Sequence, residues 1–152
     1  MANQSFTTSF TVAQSPEQVF AAITNPQRWW GEGIVGETSK VGDVFNYRHG
    51  KIHLSKQTIA ELVPNKKLVW KISESQLNFV SHKSEWDGTE VIFEIAKKGD
   101  KTELKVTHSG LVPQFECFEA CSGGWSFYLG KSLKSLIETG RGEPDERSKA
   151  AA

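Results

Sequence analysis

The stretch ECFEACSGGWSFYLGKSLKSLIETG, residues 116–140, decides the fold. Within it Phe118, Cys121, Ser122, Trp125, Leu129, Leu133 and Leu136 recur at spacings of three and four, one stripe of a long helix. Gly123-Gly124 interrupts the stripe at a cost of roughly 1 kcal/mol each relative to Ala, which predicts a kink or a close approach to another element. Gly140-Arg141-Gly142 ends the helix, and Glu143 to Ala152 reads as a frayed polar tail. A helix with so wide an apolar stripe must bury it.

The chain upstream supplies the cover. Phe6, Thr8, Phe10 and Val12 alternate with Thr7, Ser9 and Thr11 as a half-buried strand. Ser15-Pro16-Glu17-Gln18 is a capping box with Pro at the first helical position, and Val19, Phe20 and Ile23 share one face of the helix it opens. Asn25-Pro26 ends that helix and starts a second short one through Arg28, Trp29 and Trp30. A run of strands follows. Phe45 and Tyr47 share a face, and His49-Gly50-Lys51 is a tight turn. Residues 52–63 carry β-formers of mixed polarity. Leu68, Trp70 and Ile72 alternate; residues 73–84 are ambiguous, with Leu77, Phe79 and Val80 as candidates for a short edge strand. Val91, Phe93 and Ile95 share a face, then Leu104, Val106 and His108. Strands followed by a helix make an α+β domain with an antiparallel sheet. Residues 1–140 form this single domain and 141–152 its polar tail.

Composition narrows the partners. Lys plus Arg number 18, as do Asp plus Glu, so no net charge points to nucleic acid or an anionic membrane. No apolar run approaches bilayer-spanning length, which excludes membrane insertion, and residues 1–8 lack an apolar signal core. With two cysteines and no disulfide framework, the expected location is the reducing cytoplasm. Nine Phe against two Tyr favour apolar filling.

The order of these features resembles START-like (SRPBCC) domains, and within them the family named for the activator of the heat-shock protein ATPase. The resemblance is carried by Ser15-Pro16-Glu17-Gln18-Val19-Phe20 with Trp29-Trp30, by Leu68-Val69-Trp70, Thr89 to Phe93 and Thr102 to Leu111, and by Gly124-Trp125 with Leu129, Leu133 and Leu136. It spans about residues 5–139. It implies a helix-grip fold: a curved antiparallel sheet wrapped around the C-terminal helix, two short helices after the first strand, and a cavity between sheet and helix. Members of the superfamily bind lipids, sterols, polyketides or plant hormones, and some are cyclases or hydroxylase subunits. The name-giving co-chaperone carries an additional N-terminal domain, for which this chain has no room.

The expected cavity wall is Phe45, Tyr47, Trp70, Val91, Phe93 and His108 from the sheet, with Phe118, Cys121, Trp125 and Leu129 from the helix. Each has a plainer reading as core filling. His108 has the parity to point inward and orient a ligand's polar end, against a plainer role bonded to a loop carbonyl near Gly110. Cys117 and Cys121, one helical turn apart, lack further ligands for a metal and anything that visibly lowers their pKa. His49 and His53, with Asp43 and Glu37, form at most a weak metal or acid–base set and read as exposed hairpin residues. Glu85 and Asp87 flank Trp86; as a carboxylate pair they suit acid–base work if both enter the pocket, against a plainer reading as solvated loop charges. Adjacent Trp29 and Trp30 on a helix cannot both face one core, so one is expected to be partly exposed.

Three functions remain open: a module binding a small apolar molecule, lipid-like or aromatic; a co-chaperone-like interaction module with a chaperone partner; and a cavity-based enzyme of cyclase or hydrolase type. Binding without catalysis is favoured, because no nucleophile elbow, P-loop or dinucleotide fingerprint is present and no catalytic residue or cofactor is implied. Gly31-Glu32-Gly33 lacks the strand and third Gly a nucleotide site needs.

Overall fold

The structure is a computed structural model and describes residues 5–145 except 50–52, 79 and 82. Seven strands form one antiparallel sheet in the order β1-β7-β6-β5-β4-β3-β2. They are β1 (Phe6–Val12), β2 (Val35–Gly36), β3 (Val44–His49), β4 (His53–Val63), β5 (Lys67–Leu77), β6 (Glu90–Lys98) and β7 (Lys101–Ser109). Helix α1 (Pro16–Ile23) follows β1, and a 3-10 turn (Pro26–Arg28) follows α1. The C-terminal helix spans 118–139, and its apolar stripe lies on the concave face of the sheet. This is the α+β order expected from the strand run and the helix that ends it, in the helix-grip architecture that the family resemblance implied.

Local chemistry explains the element ends. Gln18 N–H donates to Ser15 Oγ at 3.2 Å and Ser15 N–H to Gln18 Oε1 at 3.0 Å, the complete capping box. Gly140 closes the C-terminal helix in the left-handed conformation, φ 82°, with its N–H on the Leu136 carbonyl. Strand β4 bends through register shifts at Lys56/Gln57 and Ile59/Glu61. Its inward face is Ser55, Gln57 and Ile59, two of them polar, which explains why alternation alone did not define it. Strand β5 runs on to Leu77, so no separate edge strand starts there; Val80 lies in a bend, and Phe79 and the turn at 50–52 fall outside the described residues.

Two local expectations change. The helix does not break at Gly123-Gly124. Its irregularity is a π-helical segment, Tyr128–Leu133, which keeps Leu129, Ser132 and Leu133 all buried. Trp29 and Trp30 are both buried, at 0% and 3% exposure. The 3-10 turn stops at Arg28 and Trp29 leaves helical geometry, with φ −134°, so the two rings are not constrained to a helix surface. Trp29 stacks on Trp70 at 6.0 Å and donates its indole N–H to the Ala22 carbonyl. Trp30 lies on Tyr47 at 4.0 Å and on Trp70 at 5.6 Å.

Residues 141–145, expected in the tail, run back across the 3-10 turn instead. Glu143 N–H donates to Ser132 Oγ, and Ser132 Oγ donates to the Trp29 carbonyl. Asp145 N–H reaches the Trp30 carbonyl at 2.9 Å, and Glu32 N–H returns to the Asp145 carbonyl. Gly142 permits this crossing, because a Cβ there would sit 2.3 Å from the Arg28 carbonyl oxygen. Gly142→Ala is therefore expected to lift this strap at a cost of about 1–3 kcal/mol. Hydrogen exchange of the Asp145 amide should accelerate well beyond that of the sheet amides; unchanged protection would show that the strap does not depend on this contact.

Candidate functional site

A cavity of about 290 Å³ opens between the β3–β4 hairpin end and the N-terminal half of the C-terminal helix. From the sheet side it is lined by Tyr47, His49 and His53, and by Trp86 from the turn between β5 and β6. Ala120, Cys121, Gly124, Trp125 and Tyr128 line it from the helix, and Trp30 completes it. The strand period places Tyr47 and His49 on the same face, and the pairing His49↔His53 brings the second imidazole opposite the first.

Of the ten residues expected at the wall, Tyr47, Cys121 and Trp125 are there. Phe45, Trp70, Val91, Phe93 and Leu129 are buried in the core. The cause is the double inward turn of Trp29 and Trp30: Trp29 packs on Trp70 and edge-on to Phe93, and Trp30 on Trp70, so these rings take the room a ligand was expected to fill. Phe118 is half-buried against the core and does not line the cavity.

His108 also sits behind the wall. An indole N–H can only donate, so Trp125 Nε1–H, 2.9 Å from His108 Nδ1, fixes that nitrogen as the acceptor. Nε2–H then donates to Thr89 Oγ1 at 2.8 Å, and the Thr89 hydroxyl donates to the Trp86 carbonyl at 2.6 Å. Neither ring nitrogen remains for a ligand, and the expected carbonyl near Gly110 is not the partner. His108 instead ties together two cavity residues, whose indoles stack at 5.8 Å. Burial, with His53 nearby, holds its pKa down to about 3.

His53 is the polar residue that sequence reasoning undervalued. Its ring meets Trp86 edge to face at 4.4 Å and Tyr47 at 5.2 Å. Nε2 is buried with no hydrogen-bond partner, and burial, then His49, lowers its pKa to about 3. At the same end, Asp145 Oδ2 accepts from Tyr47 Oη at 3.3 Å and contacts His49 Nδ1. The Tyr47 phenol is raised, by burial first and then by Tyr128 and Asp145.

The two loop carboxylates divide. Glu85 is buried, not solvated, and accepts from Glu116 N–H at 2.9 Å and Cys117 N–H at 3.0 Å, where its charge suits the start of the helix. Asp87 is exposed and accepts from Ser75. Asp43 accepts from the Ser39 and Lys40 amides, away from His49 and His53. Among the described residues no group of three or more His, Cys, Asp or Glu could hold a metal ion, and no helix is long and apolar enough to cross a membrane.

A curved sheet gripping one helix over an aromatic cavity defines an SRPBCC-type, START-like domain. The chain belongs to the family of activator of Hsp90 ATPase homolog 1-like proteins, whose profile matches residues 13–138. It is similar to Aha1 of Colwellia psychrerythraea, solved in solution as a dimer. The two are 25% identical, with a TM-score of 0.73, over 90% of this chain and 98% of that one. MLL2253 of Mesorhizobium loti (21% identity, TM-score 0.66, 87% and 96% coverage) shares the fold. So does CalU16 of Micromonospora echinospora (17%, 0.62, 86% and 73%). No functionally curated protein matches the sequence.

The histidines make stability pH-dependent with a definite sign. A buried imidazole with a folded pKa near 3 stays neutral where the unfolded chain, near 6.5, takes up a proton. Its contribution is complete above about pH 6.5 and is lost as pH falls toward 3, by up to about 1.4 kcal/mol per pH unit per histidine. His53→Phe should show a shallower decline between pH 6.5 and 4 in urea unfolding series. Parallel pH profiles for the variant and the wild type would show that His53 does not titrate in this way.

Proposed function

We propose that this protein binds a small, flat, largely apolar molecule in the cavity between the sheet and the C-terminal helix. The observation that carries the reading is the wall itself: the rings of Trp30, Trp86, Trp125 and Tyr47 border about 290 Å³ of space, near the lower end of small-molecule sites. Aromatic walls favour a planar guest through stacking and through burial of apolar area at roughly 25 cal/mol per Å². Polar groups at one end, His53 and the Tyr47–Asp145–His49 cluster, orient it.

Acid–base catalysis in the cavity would need His108 within hydrogen-bond reach of Glu85 or Asp87. His108 bonds to Thr89 and Trp125, and Glu85 to two backbone amides, which supports binding over acid–base chemistry. The co-chaperone reading rests on family membership; Trp29 and Trp30, which would favour it if exposed beside an apolar patch, are both buried.

Gly124 supplies a clean test. A Cβ there meets nothing within 4 Å, and the residue lines the cavity. Gly124→Leu should fill the cavity while leaving the fold intact, since replacing a helical Gly relieves roughly 1 kcal/mol of propensity cost. In a naphthalene titration followed by indole N–H resonances, Trp30, Trp86 and Trp125 should shift in the wild type while Trp29 and Trp70 stay still. Gly124→Leu should show none of these shifts. No shift in the wild type, or equal shifts in the variant, would contradict the reading.

A further inference from the structure

The cavity wall is held from two directions. Trp86 and Trp125 are braced from within the fold, through His108, Thr89 and Glu85. On the other side, one residue of the C-terminal strap reaches three wall residues. Asp145 N–H donates to the Trp30 carbonyl at 2.9 Å, and Asp145 Oδ2 accepts from Tyr47 Oη at 3.3 Å. The same oxygen contacts His49 Nδ1. Trp30, Tyr47 and His49 all line the cavity, and Asp145 stands behind them. Its side chain is only 8% exposed, so the carboxylate faces the wall and not the solvent.

The strap lacks the apolar anchor that the other brace has. Residues 141–145 read Arg-Gly-Glu-Pro-Asp, with no large apolar side chain to bury. Hydrogen bonds tie it down: Ser135 Oγ to the Arg141 carbonyl at 2.7 Å, Glu143 N–H to Ser132 Oγ at 2.7 Å, and those of Asp145. A segment docked in this way belongs to the low-stability end of a fold, where local opening precedes global unfolding. When the strap opens, Trp30 and Tyr47, stacked at 4.0 Å, lose their ties to Asp145 together, and His49 loses its own.

We propose that the strap is a ligand-linked clamp: Asp145 positions Trp30, Tyr47 and His49 for the guest, and the guest in turn holds the strap down. The inference rests on the binding reading above and adds its regulation, because whatever lifts the strap weakens the site. With the strap docked, the wall is ordered before the guest arrives. With the strap open, the guest must order the wall itself, and binding weakens by that cost. The coupling is reciprocal: the factor by which docking tightens binding is the factor by which the guest strengthens docking. Asp145 is thus a positioning residue, acting on the ligand through the three side chains it holds.

The test uses naphthalene as the probe, with two readouts, amide hydrogen exchange and the cavity indole resonances. In the wild type, saturating naphthalene should slow exchange of the Glu143 and Asp145 amides by about tenfold. Gly142→Ala and Asp145→Ala leave every lining residue in place, and each should weaken naphthalene binding by about the same factor. A strap with a purely structural role would lower the unfolding temperature of both variants and move neither readout. Should naphthalene shift the indole resonances while the strap amides exchange at an unchanged rate, the clamp is overturned and the binding reading stands. The same holds should both variants bind naphthalene as tightly as the wild type. Should naphthalene shift no cavity indole in the wild type, both fall.

Discussion

Everything near the site depends on one packing event, the burial of both Trp29 and Trp30 against Trp70. A 3-10 turn that ends at Arg28 frees the two indoles from helical geometry. Trp29 takes the deep position over Trp70 and Phe93, and Trp30 takes the shallower one between Trp70, Tyr47 and Trp125. Together they fill the middle of the concave face and leave open the end beyond Trp30. The same turn exposes the Trp29 and Trp30 carbonyls, which Ser132 and the Asp145 amide take up. The place of the cavity and the path of the strap are thus two consequences of one stack.

The walls need a second support, because large rings around empty space would otherwise collapse into it. That support is polar. His108 accepts from the Trp125 indole and, through Thr89, fixes the Trp86 carbonyl, while Glu85 ties the turn carrying Trp86 to the start of the helix. Buried hydrogen bonds are costly to leave unmade, so these links hold the Trp125 indole directly and fix the backbone of the turn that carries Trp86. The polar residue singled out at the end of β7 is a brace for the site, while the imidazoles at its wall are those of His49 and His53.

Much of the fold was legible in the residues. The stripe from Phe118 to Leu136, the capping box at Ser15 and the alternation in β1, β6 and β7 are local patterns with local causes. Residues with two polar inward positions, as in β4, or with a π segment, as in the C-terminal helix, escape such patterns. The site was less legible for a specific reason. Strand parity shows which residues face inward, and Phe45, Trp70, Val91 and Phe93 do; it does not show which inward residues other side chains cover. The covering comes from Trp29, Trp30 and Trp86, all on turns, where no period applies. His53 carried a signal in its strand parity opposite His49, outweighed by the expectation that hairpin histidines are exposed.

The most direct measurement is native mass spectrometry of the wild-type protein and Gly124→Leu, each purified from the protein's own cells. The account expects a single small-molecule mass excess on the wild type, released on denaturation, and none on the variant. A wild type carrying no such excess, or the same excess on both proteins, would contradict the claim that this aromatic cavity is a binding site.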